Sequence, residues 1–170
     1  MKKIFKYIFA GMAAMSVVAC SEDALETSPS SSVSGNELLG TATNALVSLN
    51  GVYRAMYTAG VSNSSNTHQC FGITAYNLVA DVMGEDCIMN GQGSGWFWYD
   101  CVYNVKSRYT STGWRSYDMW NGYYTWISNV NYILAEEETM SVSETEKNYV
   151  LGQAYAVRAY SYFMLAQMFS

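Results

Sequence analysis

Apolar positions recur along this chain at helical spacing, separated by short polar stretches. Residues 36–57 place Leu38, Leu39, Ala42, Ala45, Leu46, Leu49, Val52, Tyr53 and Met56 on one stripe. Intervals of three and four put such residues on one face of an α-helix, and that face has to be buried. Gly51 interrupts the stripe. A mid-helix glycine costs about 1 kcal/mol relative to alanine, so the spacing predicts that another backbone packs closely there. Residues 60–69 are polar, read as a loop, and carry the single histidine, His68. Without Cys or His companions at ligand spacing, His68 reads as a loop residue rather than a metal ligand. A shorter helical pattern spans residues 71–83 through Ile73, Tyr76, Val79, Ala80 and Met83. A longer one spans 116–138 through Trp120, Tyr123, Tyr124, Ile127, Val130, Asn131 and Leu134, and ends on Glu136, Glu137 and Glu138. Ser143, Glu144, Thr145 and Glu146 then form a capping box, in which the hydroxyl takes an orphan N–H and Glu146 reaches back. Beyond it, Val150, Ala154, Val157, Ser161, Met164, Leu165 and Met168 form the last stripe. The pattern predicts an all-α fold.

One stretch has no helical period. Residues 87–115 are rich in glycine (Gly91, Gly93, Gly95) and in rings: Trp96, Phe97, Trp98, Tyr99, Tyr103, Tyr109 and Trp114. A loop this long inside a compact chain is usually functional or disordered. Disordered segments are poor in aromatic residues, which favours function. Alternation at Trp96, Trp98 and Asp100 is also the signature of a short strand with both indoles on one face. Trp96, Trp98, Tyr99 and Asp100 are the candidate ligand-binding residues. The apolar face of a pyranose lies on an aromatic ring, while amides and carboxylates bond its hydroxyls. The competing reading is that these rings only cover the helices.

Asp81, Glu85 and Asp86 gather three carboxylates at the end of the second helical pattern. A hard cation such as calcium takes oxygen ligands of this kind. The EF-hand spacing is absent, and a solvated helix end is the simpler reading. With Asp100, the same residues are the candidate acid and base of a glycoside hydrolase. No nucleophile elbow, metal cluster or phosphate loop accompanies them, so neither turnover nor a cofactor is implied.

The first twenty residues read as an export signal. Lys2, Lys3 and Lys6 precede an apolar run over residues 7–18, which is shorter than the roughly twenty residues that span a bilayer. Val17, Ala19 and Cys20 then fit a lipobox: an aliphatic residue three before the cysteine, a small one just before it, and the thiol that takes the diacylglycerol. Residues 1–19 are the expected signal peptide. Cys20 is the expected lipidated N-terminus, and residues 20–34 the flexible tether, polar and carrying the only proline, Pro29. By length the residues from Cys20 on would make one modest domain, and residues 35–170, which end inside an amphipathic helix, are expected to be an incomplete helical part of a larger one.

Without the three signal lysines, six cations face fourteen acids. Such a surface repels phosphate backbones and anionic headgroups, which argues against nucleic acid as a partner and for lipid rather than a basic patch as the anchor. Cys70, Cys87 and Cys101 follow the anchor. One bridge, Cys87 to Cys101, and three buried thiols are both open readings.

Four motifs in order behind the lipobox resemble a family. They are Ala45-Leu46-x2-Leu49-Asn50-Gly51-Val52-Tyr53, Ala80-Asp81-Val82-Met83-Gly84-Glu85-Asp86, Trp120-Asn121-x-Tyr123-Tyr124-x2-Ile127-x-Asn129-x-Asn131, and Gly152-Gln153-Ala154-x3-Arg158-Ala159-Tyr160-x-Tyr162-Phe163-x-Leu165. The chain looks like the N-terminal part of a SusD/RagB-family nutrient-uptake lipoprotein of Bacteroidetes, with Gln153 where the family usually has Glu. The resemblance implies tetratricopeptide-like helix pairs overlaid by an irregular ligand-binding part, in an α-rich protein larger than this chain. It implies a non-enzymatic surface protein anchored in the outer membrane. Such a protein captures oligosaccharides and delivers them to a SusC-like, TonB-dependent transporter. A surface hydrolase and a protein-binding adhesin or scaffold are the alternatives. The resemblance also puts part of the ligand face in the loop after the second helix, where Trp96 and Trp98 lie.

Overall fold

The computed structural model describes residues 39–59, 67–84, 87–101 and 110–170. All of them belong to the compact unit that begins at Gly35. The expected signal, Cys20 and the tether lie outside the described residues, as do Glu85, Asp86, Tyr103 and Tyr109.

Every regular element among the described residues is helical. The order is α1 (Ala42–Ala55), a 3-10 turn (Thr67–Gln69), α2 (Ile73–Met83), α3 (Trp98–Cys101), α4 (Trp114–Ala135) and α5 (Glu144–Phe169). The all-α expectation holds. α1 begins at Ala42 because Thr41 is extended and its hydroxyl accepts the Asn44 N–H at 3.2 Å. A side-chain oxygen there satisfies one of the orphan donors of the first turn. α5 starts on the capping box that its sequence announces. Ser143 accepts the Glu146 N–H, and the Glu146 carboxylate accepts the Ser143 N–H at 3.2 Å.

α4 and α5 form an antiparallel pair. Ascending positions on one meet descending positions on the other. Trp120 packs on Phe169 and Tyr123 on Tyr160, the Arg158 guanidinium donates to Asn131, and the Tyr155 hydroxyl donates to Glu137. α1 lies against both. The shared core holds Leu49 and Val52 of α1 with Trp126, Ile127, Val130 and Ile133 of α4 and Val150, Leu151, Ala154 and Val157 of α5. Burying one such side chain contributes about 1.5–3 kcal/mol.

α2 is fastened from two directions. Its Tyr76 ring packs on Tyr123 (5.3 Å between centroids) and Trp126 (5.9 Å), and its hydroxyl donates to the Asp118 backbone carbonyl at 3.0 Å. Gly122 makes room for that ring, because a Cβ there would run into the Tyr76 hydroxyl. At the other end, Gly72 takes φ 68° and brings the Ile73 N–H onto the Met56 carbonyl at 2.9 Å. Any Cβ at Gly72 would meet that same carbonyl.

Two expectations are corrected. A side chain at Gly51 would meet nothing within 4 Å. No backbone packs there, and Gly51 lines an open groove with Ser48, Asn129 and Tyr132. The cysteines fit neither open reading. Cys87 is exposed and Cys101 half-buried, both as free thiols. Cys70 is buried, with its thiol hydrogen-bonded to Asp118.

Candidate functional site

The glycines of the aromatic stretch fold it into turns. Gly93 and Gly95 take φ 51° and 87°, and the Gly95 N–H closes on the Gln92 carbonyl at 2.8 Å. Phe97 follows at φ 56°, a left-handed conformation that is uncommon for a residue with a side chain. Three left-handed residues within five positions cannot make a strand. The short strand that alternation allowed through Trp96, Trp98 and Asp100 is therefore excluded, and a turn and the single-turn helix α3 stand in its place. The two indoles lose their common face. Trp96 is 47% exposed and Trp98 half-buried.

Phe97 points inward. It is buried and packs edge-on against Phe71, with centroids 5.9 Å apart. Its N–H donates to the Gln69 side-chain carbonyl at 3.0 Å. The Gln69 amide nitrogen lies 3.2 Å from His68 Nε2. Because Oε1 of Gln69 already accepts, its nitrogen donates and the imidazole accepts. The His68 ring in turn lies against Trp96, with centroids 5.2 Å apart at 43°. The loop histidine of the sequence is thus the support of an exposed indole.

Three residues after Phe97, α3 drives Asp100 inward. Arg115, in the first turn of α4, grips it side-on: Nε donates to Oδ1 at 3.3 Å and the terminal nitrogen to Oδ2 at 3.0 Å. The two residues are 4% and 7% exposed. Two-point pairing fixes orientation as well as charge. The other terminal nitrogen of Arg115 donates to the Gln69 backbone carbonyl at 2.8 Å. Its guanidinium lies 4.2 Å from the Trp114 ring centroid and 5.0 Å from that of Phe97. A desolvated cation over aromatic faces gains electrostatically from them. Arg115 therefore ties α3, the 3-10 turn and α4 together.

The result is an open cleft of about 410 Å³ lined by Tyr99, Asp100, Thr110, Thr112, Gly113, Trp114 and Arg115. Tyr99, 45% exposed, and the half-buried Trp114 supply ring surface. Thr110 and Thr112 supply hydroxyls, which lie 3.1 Å from each other. Flat apolar rings beside neutral hydroxyls suit a ligand with a C–H face and many OH groups. Of the four residues singled out in sequence, Tyr99 and Asp100 line this cleft. Trp96 stands apart on His68, and neither Trp96 nor Trp98 is a wall of it. Asp100 acts through its carboxylate on Arg115. Sequence reasoning missed Gln69, Arg115 and the two threonines as parts of one site, because nothing in their spacing announces the contacts.

A second carboxylate is buried near the same guanidinium. Asp118 is fully buried, and burial pushes its pKa up to about 6, against the opposing pull of the Cys70 thiol and of Arg115. Asp81 is exposed on α2. Among the described residues no three His, Cys, Asp or Glu side chains are placed to hold a metal ion. An apolar cavity of about 270 Å³, between Tyr76, Val79, Met83, Met119, Met168 and Phe169, has little to offer a hydroxyl-rich ligand.

Residues 21–170 match the model of a family named SusD-like and described as starch-binding and associating with the outer membrane. No curated protein and no solved structure matches the chain.

Proposed function

The chain belongs to the SusD-like family of starch-binding proteins that associate with the outer membrane, and from that premise we propose that it is a cell-surface lipoprotein that captures oligosaccharides and hands them to a SusC-like, TonB-dependent transporter. Cys20 carries the lipid. The protein binds its ligand without cutting it.

The observation that carries the binding reading is the cleft between Tyr99 and Trp114, with Thr110 and Thr112 at its edge. A sugar ring stacks on Tyr99 or Trp114 and its hydroxyls bond the threonines. Trp96 offers a further exposed ring on the neighbouring side of the loop, backed by His68.

The test is retention of the protein on soluble starch, measured by affinity electrophoresis, with Tyr99→Ala and Trp96→Ala as variants. Removing a stacking contact is worth about 0.5–1.5 kcal/mol beyond the area term, so affinity falls several-fold. The melting temperature barely moves, because both rings are about half exposed and contribute little to the core. A large fall in melting temperature would make these rings structural. Failure of the wild type to be retained by starch or by any glycan on a broad array would overturn the binding reading. Shortening of a bound glycan over long incubation would overturn the claim that no turnover occurs.

A further inference from the structure

We propose that Gln69 is the positioning residue of the aromatic loop, a single side-chain amide that fixes both the backbone at Phe97 and the imidazole on which Trp96 rests. The proposal builds on the oligosaccharide-binding reading for its effect on affinity.

Phe97 holds a backbone conformation that a residue with a Cβ adopts only where its surroundings impose it. Three contacts do so. The ring is buried against Phe71 and lies under the Arg115 guanidinium. The N–H is taken by Gln69 Oε1 at 3.0 Å. The residue that supplies that acceptor is itself held, because its backbone carbonyl receives Arg115 at 2.8 Å. The remaining half of the Gln69 amide faces His68 Nε2 at 3.2 Å, and that ring backs Trp96. Acceptor and donor of one planar group are thereby used in opposite directions. The indole and the start of α3 are set by one rigid unit, and α3 in turn carries Tyr99 to the cleft. Preorganisation of this kind lowers the cost of ordering a loop when a ligand arrives.

The conservative replacement separates this role from bulk. In Gln69→Glu one carboxylate oxygen still accepts the Phe97 N–H and the other accepts from His68 Nε2–H, the imidazole taking its other tautomer, whereas Gln69→Leu keeps the volume and loses both contacts. Both are made in the full chain and read in three ways: amide hydrogen exchange at Phe97, the fluorine resonance of 5-fluorotryptophan at Trp96, and retention on soluble starch. In Gln69→Leu the Phe97 amide exchanges about tenfold faster, as expected for loss of one hydrogen bond. The Trp96 resonance shifts and broadens, and starch affinity falls about fivefold or more, a modest free-energy change. In Gln69→Glu the Phe97 protection stays, and starch affinity remains within about twofold of the wild type. Unchanged Phe97 exchange in Gln69→Leu would overturn the proposal. So would a loosened loop with undiminished starch retention. The first two readouts need no ligand. If the wild type itself fails on starch, the binding reading falls, while exchange and fluorine spectra still decide whether Gln69 holds the loop.

Discussion

Asp100 and Asp118 share one buried guanidinium on different terms. Asp100 takes Arg115 in a two-point pair. Asp118 accepts the Cys70 thiol and feels Arg115 through space. Two carboxylates against one cation leave the cluster negative when both are ionised, and burial makes that charge costly. Burial raises the Asp118 pKa to about 6 in the folded protein, against the pull of the Cys70 thiol and of Arg115, and above the ordinary Asp value near 4 that the unfolded chain shows. Between those two values the native state holds a proton that the unfolded state has lost. The Asp118 contribution to stability is therefore full below pH about 4 and is lost as pH rises through about 6. Asp118→Asn keeps the volume and an acceptor for Cys70, and leaves Asp100 and Arg115 matched one to one. It is expected to melt higher than the wild type at pH 7 and to flatten the loss of stability between pH 4 and 6. Melting curves of both proteins across that range check this. Parallel curves would assign the pH dependence to other groups.

At the scale of elements, the glycines divide by what surrounds them. Gly51 and Gly152 are exposed helix positions where a side chain meets nothing within 4 Å. Alanine there should stabilise the protein by roughly 0.5–1 kcal/mol each through helix propensity. Gly122→Ala has the same propensity gain but drives a methyl into the Tyr76 hydroxyl, inside a packed set of rings. Displacing that ring costs about 1–3 kcal/mol, as overpacking does, and strains its bond to the Asp118 carbonyl. Urea unfolding of the three variants should give two midpoints above the wild type and one below. The same contrast shows what was legible in the sequence. Helical stripes were in the main, because burial of one face is a periodic property, although Ala80, Met83, Trp120, Tyr124 and Asn131, placed on those stripes, are exposed. Of the last stripe, Val150, Ala154, Val157, Ser161 and Leu165 are buried, while Met164 and Met168 are half-buried. The capping box was legible because both of its halves lie within four residues. Gly51 misled, since the cost of a mid-helix glycine does not say whether its surroundings are packed or open. The alternative of a strand at Trp96, Trp98 and Asp100 failed because alternation is blind to φ, and the turns at Gly93, Gly95 and Phe97 override it. That the loop would be rich in rings was legible, but not which of them, Trp96 and Tyr99, would stay exposed. Its fastening was not, because Gln69 reaches across to Phe97 and Arg115, and Arg115 to Asp100, over separations that only the fold closes.

For the whole molecule the decisive property is how a chain with six cations against fourteen acids, once Lys2, Lys3 and Lys6 of the expected signal are set aside, associates with an outer membrane. Electrostatic attachment is disfavoured, since anionic headgroups attract basic segments and repel acidic ones. No helix among the described residues is long and apolar enough to cross a membrane. The route proposed above is the one that Val17, Ala19 and Cys20 would supply, a thioether-linked lipid. Each buried methylene contributes about 0.8 kcal/mol, and two or more acyl chains hold a protein on a bilayer stably. Cys20→Ala should therefore abolish palmitate labelling and release the protein from outer-membrane fractions or misplace it. Cys87 is the control, because it is an exposed thiol of the same chain. Cys87→Ala should keep both the label and the membrane partition. Salt distinguishes the lipid from any residual charge attraction, which is screened within about 3 Å at 1 M. The wild type should stay membrane-bound through a molar salt wash and leave only with detergent. A Cys20→Ala protein that still labels and still sediments with outer membranes would end the lipid-anchor reading. A wild type that leaves in salt alone would replace it with an electrostatic one.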